Sequence, residues 1–138
     1  MKQHHTKIKG DIGVLKVKCD LVTKGYFVGS LDTEHCPFDI IAYKDKEFKR
    51  IQVKYRKVNS KGALDIVFRS SWADKHGTHT VSVDKSEVDI YAVYCPDTDT
   101  CYYFDPDVFN KTVTLRVSTP LNNQTTNIKF VDDYREVP

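Results

Sequence analysis

Asp39, Gln52 and Lys54 are the residues whose types and spacing could do chemistry together. Asp39 closes Pro37-Phe-Asp39, twelve residues intervene, and Gln52-Val-Lys54 follows. Residues 38–43 and 48–55 are rich in aromatic and β-branched side chains, and the polar run Lys44-Asp45-Lys46-Glu47 separates them. This pattern predicts a β-hairpin. Side chains alternate along a strand, so Gln52 and Lys54 share one face, while Ile51, Val53 and Tyr55 take the other. If Asp45-Lys46 is a two-residue loop, Lys44 pairs with Glu47 and Asp39 falls opposite Gln52. Opposed residues carry Cβ atoms about 4.5–5.5 Å apart. An odd loop length would break that count.

Such a patch suits metal-assisted cleavage of a phosphodiester. Carboxylate and amide oxygens are the hard ligands that Mg²⁺ takes, with waters completing its octahedron. The metal lowers the pKa of a bound water and offsets charge on the phosphate. A neighbouring lysine orients the nucleophile or stabilises developing negative charge. A sheet whose polar face is merely wet has the same residue pattern.

The elements that must position this patch are read from hydrophobic spacing. Ile8, Ile12, Leu15, Cys19 and Val22 recur at helical intervals, which predicts an N-terminal helix with this stripe on the core. Gly25 ends it, with Lys24 at the negative end of the dipole. Asp11 lies at the margin of the stripe, as a solvated edge residue or as a carboxylate aimed into the site. On this reading the Asp39 patch sits next to Asp11's helix. Further strands are expected over 26–31, 64–68, 90–95, 101–104 and 112–117. A short helix is expected from Asp105, and 69–87 reads as a long polar excursion. One helix followed by strands gives a single mixed α/β domain over 1–138.

Composition sets the outer bounds. Of 138 residues, 40% are hydrophobic, enough for one packed core. The longest unbroken apolar run, Ile90 to Cys95, is six residues. A membrane helix needs about 20. With no apolar signal region at the N-terminus, the chain reads as soluble and cytoplasmic. The net charge of +2 conceals an asymmetry: residues 1–62 carry 14 basic and 7 acidic side chains, and 63–138 carry 7 and 12. A basic front half is the footprint of a polyanion, or of a solvated surface. Arg50, Arg56, Lys57 and Lys61 extend the basic run beside Gln52 and Lys54. Phosphate contact and a solvated strand end are both open for them. Arg69 and Lys75, with Trp72, His76 and His79, lie in the excursion and could reach DNA.

Other constellations are weaker. Cys19, Cys36, Cys95 and Cys101 form no C-x-x-C pair, and four reduced thiols are expected. His76 and His79 lack further metal ligands nearby. The Asp97-x-Asp99 turn lacks the glycine and distant Glu of an EF-hand.

Ordered motifs across the chain sharpen the reading. They are Lys9-Gly-Asp-Ile12, Lys24-Gly-Tyr26, Cys36-Pro-Phe-Asp39, Ile51-Gln-Val-Lys54, Val88-Asp-Ile-Tyr-Ala-Val-Tyr-Cys-Pro96, Leu115-Arg-Val117, Asn122-Asn-Gln124 and Asp133-Tyr-Arg135. With these the chain resembles the PD-(D/E)XK nucleases, and more narrowly the bacterial group I intron-encoded homing endonucleases with a Gln-x-Lys motif. The resemblance implies a restriction-endonuclease-like core, an N-terminal helix followed by a mixed sheet. It implies a Mg²⁺-dependent endonuclease acting on double-stranded DNA as a homodimer or homotetramer. Asp39 would be the central metal ligand and Lys54 the motif lysine. Gln52 stands where the pattern has Asp or Glu, and Asp11 where many members carry a helix-borne Glu. A junction-resolvase-like enzyme, or a non-catalytic DNA-binding module, shares this core.

Overall fold

The computed structural model describes residues 5–82, 85–108, 112–118 and 128–138, of which 69–73, 80–82, 85 and 108 are described by their backbone. The chain forms helix α1 (His5–Thr23), then β1 (Phe27–Gly29), β2 (Ile40–Lys44), β3 (Glu47–Tyr55), β4 (Ala63–Val67), β5 (Arg69–Asp74), β6 (Gly77–Ser82), β7 (Ile90–Cys95), β8 (Thr100–Phe104) and β9 (Thr112–Arg116). Short 3-10 turns occur at Lys85–Glu87, Pro106–Val108 and Val131–Tyr134.

Five strands make the central sheet, in the order β1-β2-β3-β7-β8. The β3–β7 seam is parallel and the other pairings are antiparallel, which is the mixed sheet that the sequence predicts. Strands β4 and β9 form a second sheet, and β5 and β6 a third.

The β7 and β8 part of the central sheet is packed on both sides. On one side, Ile40, Ala42, Ile51, Ile90, Ala92, Tyr94, Cys101 and Tyr103 pack with Val17 and Leu21 of α1. On the other, Tyr91, Val93, Cys95, Tyr102 and Phe104 pack with Leu64, Ile66, Val113 and Leu115 of the β4–β9 pair. Strand β7 is buried along its whole length, as expected of a strand covered on both faces. Cys95 and Cys101 belong to these opposite faces, and all four cysteines are free thiols.

The helix is present, but a different face docks. Gly13, Val17 and Leu21 are buried, whereas Leu15 is 64% exposed and Val22 55%. Ile8, Ile12 and Cys19 are exposed as well. At about 100° per residue the expected stripe lies on the far side of α1 from the docked face. The helix is apolar on two sides, and the side that carries Gly13 docks. A Cβ there would lie 3.5 Å from both Val53 Cγ1 and Tyr55 Cβ, so the helix backbone rests close on β3. After Thr23, Gly25 takes φ +93° and Lys44 Nζ donates to the Lys24 carbonyl at 2.8 Å, closing the helix end.

The 69–87 segment also differs from expectation. Much of it is an antiparallel hairpin, with Arg69↔Ser82 through Asp74↔Gly77 in register. Its strands hold Ser, Thr and His, so they lack the apolar alternation that marks a half-buried strand.

Candidate active site

The hairpin register follows the turn arithmetic. Lys44 pairs with Glu47, and the ladder runs back to Ile40↔Ile51. Asp45 and Lys46 take φ 52° and 67°, the left-handed pair that a type I′ turn requires. One residue beyond the ladder, the Asp39 amide donates to the Ile51 carbonyl at 2.9 Å. The Val53 amide donates to Asp39 Oδ2 at 2.8 Å. These two bonds fix Asp39 level with Gln52, as the count requires.

Across the parallel seam Gln52 is level with Tyr91 and Lys54 with Val93. Asp39, Gln52, Lys54 and Arg56 are half-buried. They lie on the sheet face that β4 and β9 cover farther along, over β7 and β8. The β2–β3 part of that face is the open part. Beside it is a cleft of about 290 Å³, lined by Ser30, Leu31, Glu34, His35, Phe38 and Asp39 among others. A larger groove, about 390 Å³, lies on the α1 side between Lys16, Asp20, Tyr94 and Asp99, away from Asp39.

Burial governs the charges. It pushes the Asp39 carboxyl above its ordinary value, against the Val53 hydrogen bond and the attraction of Lys54. Burial pushes the Lys54 ammonium down, and the Arg56 guanidinium adds to this while Asp39 opposes it. Arg56 is itself lowered by burial. Its Nη1 donates to the Tyr55 carbonyl at 2.8 Å.

The placement beside the Asp11 helix is corrected. Helix α1 packs on Ile51, Val53 and Tyr55, the face opposite Gln52 and Lys54. Asp11 is exposed there, and it is not among the groups acting on the Asp39 carboxyl. Arg50 shares the face of Gln52, but Asp89 holds it. Its Nε and Nη2 reach the two Asp89 oxygens at 3.0 Å each, and Glu87 lies 3.9 Å from Nη1. Lys57 and Lys61 are exposed beyond the end of β3, and Lys75 is exposed at the tip of the β5–β6 hairpin. The side chain of Arg69, and the Asn122-Asn-Gln124 motif, lie outside the described residues.

Two site neighbours escape the sequence reading. Asp89 receives Arg50, and the lone acid before an all-apolar strand is the signal that could have found it. The Tyr91 hydroxyl is buried with no hydrogen-bond partner among the described residues. Burial pushes it up to about 12. Nothing in a run of apolar residues distinguishes it.

The donor set suits a small hard cation. Asp39 offers a second carboxylate oxygen, Gln52 an amide oxygen, and the open cleft room for water. Among the described residues no three His, Cys, Asp or Glu side chains gather. A cation here would therefore keep several waters, as Mg²⁺ does.

Residues 4–137 match the profile of the PD-(D/E)XK endonucleases. The chain belongs to that family. No curated protein matches it. Among solved structures, a bacterial homing endonuclease, I-Ssp6803I, superposes with a TM-score of 0.77 at 18% identity, covering 94% of this chain and 88% of that one. At that identity the likeness speaks for the fold. Family membership makes this chain a nuclease with DNA as its substrate class, of a kind that generally uses divalent metal ions. Among the described residues no helix is long and apolar enough to cross a membrane.

Proposed function

We propose that the chain is a Mg²⁺-dependent endonuclease that cuts double-stranded DNA at specific sites, in the manner of a homing endonuclease. The observation that carries this reading is the convergence of Asp39, Gln52 and Lys54 on one open sheet face, with Arg56 beside them.

In this reading Asp39 and Gln52 hold the metal through a carboxylate and an amide oxygen. Bound there, the metal supplies a more acidic water and charge to offset the phosphate. Lys54 holds the attacking water or stabilises the charge that develops on phosphorus oxygens. The Val53 amide holds Asp39 by Oδ2, and Oδ1 would be the oxygen that takes the metal. Asp11, exposed on the other side of the sheet, stands apart from this centre. Arg56, Lys57, Lys61, Arg69 and Lys75 contact phosphates, and Arg50 serves them indirectly by holding Asp89. A cytoplasmic setting fits four free thiols.

Double-strand cleavage needs two such centres, so the active form is a homodimer or homotetramer. The apolar stripe on the outer side of α1 supports this, because exposed apolar stripes mark interaction surfaces. The deciding test is nicking of supercoiled plasmid with Mg²⁺, with EDTA, and with Asp39→Asn. Cleavage by the parent with Mg²⁺ alone is expected. Full activity in EDTA, or in the variant, would refute the metal mechanism.

A further inference from the structure

We propose that the β5–β6 ribbon is the element that reads DNA sequence, by entering the major groove beside the cleavage site; this rests on the nuclease reading above.

The ribbon's strands form a sheet of their own. Six register pairs run from Arg69↔Ser82 to Asp74↔Gly77. At about 3.3 Å per residue each strand is roughly 20 Å long. Isolated two-stranded hairpins are marginal in water, so such a ribbon is best explained by a surface that it fits. A B-DNA major groove, about 12 Å wide, admits a two-stranded ribbon.

The base of the ribbon is anchored on the side of the candidate site. Phe68, just before β5, is buried against Tyr91 and Phe104. Val88, shortly after β6, is buried in the same cluster. Between them, Glu87 and Asp89 flank Arg50, two residues from Gln52 on the same strand face. The ribbon therefore rises from the sheet face that carries Asp39, Gln52 and Lys54. The Arg50–Asp89 fork ties the segment just before β7 to β3.

Composition suits reading bases. Strand alternation assigns Arg69, Ser71, Ala73, Thr78, Thr80 and Ser82 to one face. That face holds no acid, one arginine and four hydroxyl residues. Hydroxyls donate to or accept from base edges, and alanine and threonine methyls meet the thymine methyl. The tip is built for exposure: the His76 amide donates to Asp74 Oδ1 at 2.7 Å, and His79 Nε2 lies 3.1 Å from the same oxygen. Lys75 and His76 are exposed there, where phosphates flank a groove.

The test is cut-site sequencing on a randomised duplex library, with binding to a fixed random-sequence duplex measured in parallel. Two variants are compared with the parent: one with residues 71–80 replaced by Asn-Gly, and the double substitution Thr78→Val with Thr80→Val. The shortened ribbon is expected to cut with its base preferences flattened by about ten-fold or more, while random-duplex affinity falls only about two- to three-fold. The double variant should change preference at one or two positions. If the shortened protein is misfolded by circular dichroism, the double variant decides. A folded variant that keeps the parent's preferences overturns the ribbon's role and leaves the nuclease reading standing. A parent that neither binds nor cuts DNA overturns both.

Discussion

Asp39 and Lys54 hold opposite charges on one hairpin face, yet burial moves each toward its neutral form and their mutual attraction only partly opposes it. A carboxyl raised by folding is less stable as the anion in the folded chain than in the unfolded one. Its ionisation costs stability as pH rises through the ordinary carboxylate range and the folded value above it. Asp39→Asn keeps the shape and can still accept the Val53 amide. It should match or exceed the parent in stability at neutral pH, and lose that advantage at low pH where the parent carboxyl is protonated. Thermal unfolding of metal-free protein across pH measures this. In Lys54→Met the Asp39 carboxyl should titrate at still higher pH, because an attraction that lowers it is gone. Carboxyl NMR would show an unchanged titration if the two groups were not coupled.

Gln52→Glu should let cleavage proceed at lower Mg²⁺, with equal or poorer turnover, because the added charge attracts metal and repels phosphate. Gln52→Leu should reduce cleavage far more. Asp11→Asn should cleave close to the parent rate, since Asp11 lies on the other side of the sheet. A Mg²⁺ titration of nicking rate separates these cases. Parent-like cleavage by Gln52→Leu would remove Gln52 from the metal.

DNA binding should weaken steeply with salt, at a log–log slope of about −0.9 for each phosphate contacted. Arg56→Ala with Lys57→Ala should lower affinity for every sequence and make the slope shallower. Fluorescence anisotropy at several salt concentrations reads both. An unchanged slope would move the footprint off the end of β3.

Leu15 is the most exposed apolar residue of the outer α1 stripe. Leu15→Glu should shift the protein toward monomer in sedimentation velocity without lowering its melting temperature, because Leu15 supports no core. A parent that is monomeric at micromolar concentration, with and without DNA, would contradict self-association.

Gly13→Ala should stabilise the fold by about 0.5–1 kcal/mol, since alanine is the better helix former. Its Cβ meets Val53 and Tyr55 at ordinary contact distance. Gly13→Leu should lower the melting temperature by forcing α1 off β3. Chemical denaturation distinguishes the two.

The site hairpin was legible because a two-residue turn converts sequence separation into pairing by arithmetic. The docked face of α1 was not. Two apolar stripes compete on that helix, and the one that touches the sheet includes a glycine, which carries no hydrophobic signal. The β3–β7 seam was equally hidden, because parallel pairing joins segments far apart and no local residue announces it. Arg50 looked like a phosphate ligand for the same reason: its partner Asp89 arrives only through that seam. The β5–β6 strands escaped notice because their sequence, rich in Ser, Thr and His, lacks the apolar alternation by which a strand is read.

The Asp45-Lys46 turn gives the protein a reserve remote from its chemistry. Neither residue is glycine, yet both occupy left-handed backbone, which costs a non-glycine residue roughly 1 kcal/mol or more. Lys46→Gly would relieve part of that cost at an exposed corner, five ladder pairs away from Asp39. Stability lost to changes around the cleavage centre could thus be recovered at the turn, leaving the reacting groups untouched. A chain evolving toward a new target site would have that margin to draw on.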